Sequence, residues 1–195
     1  MRRGLRPLRR EAMPNLPMPA GLDTPDLECV MLDVQPINLT QFYYNEKISP
    51  DDLFYGDIPK LKYAQGAVCE DQAHVTLLFG IHPSETYFND VMNALDGWTP
   101  EDVLVKDVGF FPSNIEGQDY NVIVLNIVPT PNLLDARRRL TQLNYTDSFP
   151  TYKPHVTIAY IKGSADKDAW ISTLQGYFKN RVLVPTGVNL GLDEE

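Results

Sequence analysis

Two stretches of the chain share one alternation. Residues 73-80, Ala-His-Val-Thr-Leu-Leu-Phe-Gly, and 154-161, Pro-His-Val-Thr-Ile-Ala-Tyr-Ile, each set a His and a Thr one residue apart and follow them with an apolar, β-prone run. Both read as buried strands. Successive strand side chains point to opposite faces, so His74 with Thr76, and His155 with Thr157, project from the same face of their strands. Each pair is an imidazole beside a hydroxyl. With 12 Thr in 195 residues, two such pairs among three histidines is roughly a 1% accident.

The rest of the pattern places neighbours around these strands. Residues 27-36 read as a first strand that ends at Pro36, and 37-72 as loop-rich, with Leu39, Phe42, Tyr43 and Tyr44 starting a short helix before Pro50, Gly56, Pro59 and Gly66 break any long period. After the first motif, Ser84 is placed to cap a helix with the stripe Phe88, Val91, Met92 and Leu95, closed by Gly97. Strands follow at 102-111 and 120-128, the second stopped by Pro129 and Pro131. A helix at about 131-143 carries Leu133, Ala136, Leu140 and Leu143 on one side, with Arg137 to Arg139 as a solvated face. The second motif leads through Gly163 to a helix at 166-178, with Trp170, Ile171, Leu174 and Phe178, and then to a strand at 181-190. Strand, turn, helix and strand thus follow both copies, an internal duplication with an offset of 81 residues from His74 to His155. Two similar α+β lobes facing each other would bring the two His-Thr faces across one cleft.

Composition narrows the partners. A length of 195 residues with 43% hydrophobic content suits one globular domain. Five arginines stand against Glu11 in the first twelve residues, so a net charge of −9 overall becomes about −13 for the rest. An acidic body argues against holding long nucleic acid by general phosphate attraction and leaves a small nucleotide compatible. Residues 1-25, with Pro7, Pro14, Pro17 and Pro19 and no apolar h-region, read as a disordered basic tail, with Met13 as an alternative start. Residues 26-195 read as a single two-lobed domain. No apolar run reaches the length of a membrane span, and a cytoplasmic location is expected. Cys29 and Cys69 form no CxxC pair and match no zinc spacing, so they read as incidental thiols.

Two histidines across a cleft are enough for phosphodiester cleavage without a metal. One imidazole takes a proton from an attacking hydroxyl while the other, protonated, gives one to the leaving oxygen. The threonine hydroxyls then donate to non-bridging phosphate oxygens, where charge builds during in-line attack. A lone His or Thr in an apolar strand is more often a structural residue, and His82, which lacks a partner Thr, is read that way. A metal site would need further ligands such as Asp33, Glu70 or Asp71, and it gives the threonines no role. Aromatic residues Tyr43, Tyr44, Tyr55, Trp98 and Tyr152 are candidates for stacking on bases, with Lys153 beside them as a substrate-binding residue.

His74-Val75-Thr76 and His155-Val156-Thr157, each followed by an apolar strand, resemble the paired motifs of the 2H phosphoesterase superfamily over roughly 27-190. The resemblance implies an α+β, two-lobed pseudo-symmetric fold, with antiparallel sheets facing a central cleft and helices outside. It further implies catalytic roles for His74, Thr76, His155 and Thr157 and no cofactor or metal. Tyr152 to Tyr160, preceded by Asp147-Ser148-Phe149-Pro150, is similar to the compact phage and bacterial branch that includes the anti-CBASS nuclease. The leading expectation is therefore hydrolysis of small cyclic oligonucleotide signals. Opening of RNA 2′,3′-cyclic phosphates or 2′-5′ RNA ligase-like activity is the alternative, and a nucleotide-sequestering binding module is the non-enzymatic one. The first lobe departs from the pattern, because the helix expected between the first strand and the first motif is hard to see in 37-72.

Overall fold

The computed structural model describes residues 27–43, 48–54, 69–70, 73–113, 117 and 119–191. The tail expected over 1-25 lies outside them, as do Tyr44 and Tyr55. Strands form where alternation or apolar runs predict them: β1 (Glu28–Val34), β4 (His74–Ile81), β5 (Val103–Pro112), β6 (Tyr120–Ile127) and β7 (His155–Lys162). Between β1 and β4 the described residues hold only short pieces, β2 (Ile37–Asn38), α1 (Thr40–Tyr43), a 3-10 turn at Pro50–Asp52 and β3 (Cys69–Glu70), where the counterpart segment carries a full helix. That counterpart is α3 (Pro131–Leu140), entered through Pro131 and capped by the Thr130 hydroxyl, which accepts from the Leu133 amide.

The sheets do not follow the sequence halves. One sheet runs β4-β1-β9 and the other β7-β6-β5-β8, with all pairs antiparallel. The strand expected at 181-190 is two strands, β8 (Val182–Leu183) and β9 (Pro185–Asn189), one in each sheet. The switch falls at Val184, whose amide and carbonyl are bonded by Gln35, and Pro185 beyond it has no N–H to continue a ladder. Each copy of the motif therefore sends a strand beyond its helix into the sheet that holds the other motif: β5 joins β6 and β7, and β9 joins β1 and β4.

One apolar core underlies both sheets. Val30, Leu32, Val75 and Leu77 from one, and Ile123, Leu125, Val156 and Ile158 from the other, belong to the same cluster as Val91, Leu133 and Trp170 of the helices. Helix α4 (Lys167–Phe178) buries Trp170, Leu174 and Phe178, as its spacing predicts. In α2 (Tyr87–Ala94) the expected stripe is rotated. Phe88 and Met92 are 54% and 48% exposed, whereas Tyr87, Val91 and Leu95 are buried. The helix begins behind Thr86 instead of Ser84, and the Tyr87 hydroxyl donates to the carbonyl of Leu190 after β9, which turns that ring inward. No helix among the described residues is long and apolar enough to cross a membrane.

Candidate active site

Both motif strands lie at an edge of their sheet, β4 at one end and β7 at the other, and the two strands approach each other. Their opening residues share one burial rhythm. His74 and Thr76 are half-buried around a fully buried Val75, and His155 and Thr157 are half-buried around a fully buried Val156. The valines enter the common core, so each His-Thr pair is fixed on the face away from it. A direct tie crosses between the motifs, since the Tyr152 hydroxyl, three residues before His155, donates to the Thr76 carbonyl at 2.9 Å. The His74 charge also acts on His155, which places the two imidazoles within electrostatic reach.

Each histidine faces its own set of neighbours. The His155 ring is bonded through Nδ1 to the Lys153 carbonyl at 2.9 Å, so Nδ1 carries the proton and Nε2 is left as the acceptor in the neutral ring. Phe111 meets that ring edge-on, with centroids 5.1 Å apart. Burial pushes the His155 pKa below the ordinary imidazole value; the Lys153 carbonyl opposes this and the His74 charge adds to it. His74 stands directly across the β1–β4 pair from Asp33, whose Oδ2 accepts from Asn189 Nδ2 at 3.2 Å. Burial pushes the Asp33 carboxyl up, while Asn189 and the His74 charge pull it down. Thr76 Oγ1 lies 4.0 Å from the Cys29 thiol, which burial raises to about 12 and so keeps protonated.

The other residues singled out from the sequence divide. Tyr152 ties the two motifs, with the Arg137 guanidinium 4.9 Å over its ring. Arg137 is not part of a solvated face, because it also donates to the carbonyls of Phe149 and Leu77; Arg138 is the exposed member of the run. Lys153 is exposed and meets His155 through its carbonyl. Trp98 is not brought to the motifs: its indole donates to the Asn132 carbonyl at 3.1 Å and its ring packs on the core. Tyr43 packs against Trp170. His82 bonds Thr146 at 3.0 Å, away from both pairs.

Sequence reasoning missed a second apolar cluster and Asn126, and it offered Asp33 only as a metal ligand. Tyr120, Val122, Val124 and Tyr160, with Phe54 and Phe111, form a second cluster apart from the main core, and alternation puts Val122 and Val124 on the His155 side of β6. On the same face Asn126 stands opposite His155 and donates to Asp107 at 2.7 Å. Asp33 and Asn126 each interrupt an otherwise apolar run, at 29-34 and 122-128, and that interruption is the signal that finds them. Among the described residues, no group of three or more His, Cys, Asp and Glu side chains is placed to hold a metal ion. Asp33, a ligand candidate from the sequence, sits beside His74 but is bonded by Asn189.

No curated protein matches the chain. The sequence profile of the 2′-5′ RNA ligase superfamily matches residues 50–190, a span that includes both motifs and most of both sheets. The chain therefore belongs to the 2′-5′ RNA ligase superfamily, the 2H phosphoesterase group that its paired His-Thr motifs resemble.

Proposed function

We propose that the chain is a metal-independent phosphodiesterase that hydrolyses small cyclic oligonucleotide signals in a host cytoplasm, a counter-defence activity. The carrying observation is the pair of half-buried His-Thr faces on adjacent edge strands. One imidazole accepts the proton of the attacking hydroxyl and the other donates to the leaving oxygen, while Thr76 and Thr157 donate to the non-bridging oxygens. A neutral hydroxyl is a weaker anchor than Arg, so a small substrate must gain further affinity from its bases. Phe54 and Phe111, half-buried against the buried Tyr120 and Tyr160, are the rings near His155 that could meet a nucleobase, and the acidic body disfavours long polyanions.

The name of the matched superfamily favours a second reading, action on a 2′-5′ linkage or a 2′,3′-cyclic end of RNA. Purified protein in EDTA, incubated with cyclic di- and trinucleotides, 2′-5′ oligoadenylates and 2′,3′-cyclic nucleotides, separates the readings by product mass. Linearised cyclic oligonucleotides are the expected result. Turnover confined to 2′-5′ or 2′,3′-cyclic substrates, with preference for longer RNA and a steep loss on adding salt, would move the assignment to RNA ends. Tight binding with every ligand recovered unchanged would make the protein a sequestering module.

A further inference from the structure

The two halves of the site match strand for strand, but their polar residues are transposed. On one side His74 of β4 faces Asp33 of β1, which is bonded by Asn189 of β9. On the other, His155 of β7 faces Asn126 of β6, which donates to Asp107 of β5. Each histidine thus heads a row of one Asp and one Asn, in opposite order. Residues directly opposite in an antiparallel pair have Cβ atoms about 5 Å apart, and a second strand adds nearly as much again. The carboxylate is the immediate neighbour of His74, whereas the carboxylate in the other row is roughly twice as far from His155 and already engaged by an amide.

We propose that Asp33 is a positioning residue that divides the labour, holding His74 as the protonated donor to the leaving oxygen and leaving His155 as the acceptor. This rests on the phosphodiesterase reading. In the step itself, the proton of the attacking hydroxyl passes to His155 Nε2 as the new P–O bond forms. The old P–O bond then breaks to an oxygen that takes its proton from His74. Proton exchange with solvent resets both rings.

The surroundings agree with the division. Among the described residues, the titratable and charged groups on the His74 face are Asp33 and Cys29 of β1, with Glu28 beyond, His155 of β7, and Tyr152 under the Thr76 carbonyl with Arg137 over its ring. Burial keeps the thiol and the phenol protonated, so among the described residues Asp33 is the carboxylate that register sets beside His74. Around His155 stand His74, the exposed Lys153 and, a strand further on, Asp107 behind Asn126; burial and the His74 charge disfavour a second imidazolium there, and the Lys153 carbonyl only partly offsets them. Asp33 is also costly to keep: it is half-buried, its Oδ1 has no partner within the protein, and its pKa is raised. An imidazole held down by burial suits the acceptor, and one beside a carboxylate suits the donor.

The chain has three histidines, so an NMR titration of the imidazole C–H signals can resolve each of them, with His82→Gln assigning the third. His74 is expected to titrate above His155, and Asp33→Asn to lower His74 by about 1–2 pH units with His82 unmoved. The complementary Asn126→Asp should raise His155, which keeps the idea testable if Asp33→Asn folds poorly. In the kinetic arm, a p-nitrophenyl phosphodiester has a leaving group that needs no proton, so His74→Ala should regain most of its roughly 10²–10⁴-fold loss there, and His155→Ala should regain none. His74 titrating at the same pH in Asp33→Asn, or rescue of His155→Ala instead, would overturn the division. The predicted titration with no turnover of any phosphodiester would overturn the activity and leave the charge division standing.

Discussion

Replacing Thr157 by Val removes a hydroxyl while keeping the β-branched shape. Thr157 is half-buried on β7 and stands across from Val124 of β6, so the new methyl meets an apolar partner on a strand where valine is favoured. The change in stability should stay within about 1 kcal/mol. At Thr76 one partner lost is the Cys29 thiol 4.0 Å away, a weak donor that stays protonated up to about 12, and valine keeps the β-branched shape on the strand, so that variant too should fold with a near-normal Tm. Turnover should nonetheless fall. Deleting one hydrogen bond to a charged phosphate costs roughly 1.5–3 kcal/mol, or about 10- to 150-fold in kcat/KM. The assay is kcat/KM against pH on the nucleotide that wild type turns over, with Tm as the control. Both variants should keep the wild-type bell at reduced height, since no titrating group is removed. Full activity in either variant would return that hydroxyl to a packing role.

Three further outcomes follow from the same geometry. A Cβ on Gly109 would lie 2.7 Å from Asn126 Nδ2, so Gly109→Ala should push Asn126 off Asp107 and lower kcat/KM several-fold at unchanged fold, read by kinetics with circular dichroism as control. Gly80 has φ +101° and a Cβ there would press on the Thr146 carbonyl oxygen, so Gly80→Ala should cost about 2 kcal/mol or more in urea unfolding. Burial holds His155 below the ordinary imidazole value, so the unfolded chain binds that proton more tightly. The stability it contributes is intact above about pH 6.5 and is lost as pH falls through that value toward the lower folded one. A Tm series from about pH 8 to 5 should therefore fall more steeply in wild type than in His155→Gln.

What the sequence made legible is what a strand writes locally. The alternation around His74 and His155 reports its own faces, and β5, β6, α3 and α4 lie within a few residues of their expected bounds because their periods span whole elements. Pairing between distant strands leaves no such mark. Nothing in 181-190 tells that Val182 joins one sheet and Pro185 the other, since the switch depends on Gln35, about 150 residues earlier. The rotated stripe of α2 has a similar origin: Phe88 and Met92 fit the helical period, but Tyr87 wins the core through its bond to Leu190. Tyr152 and Arg137 looked like surface chemistry and proved to be the tie between the motifs. Asp33 and Asn126 were visible as polar breaks in apolar runs, yet their meaning needed the register that sets each beside a histidine.

The central claim is that two symmetric His-Thr pairs form one acid-base site that works without a metal. Its most direct measurement is kcat/KM against pH in EDTA for wild type, His74→Ala and His155→Ala, with folding checked by circular dichroism. Wild type should give a bell that survives chelation, and each variant should lose roughly 10²–10⁴-fold together with one limb of the bell, the acidic limb for His155→Ala and the alkaline limb for His74→Ala. Activity abolished by EDTA and restored by a divalent ion, or either variant retaining near-wild-type turnover, would contradict the account.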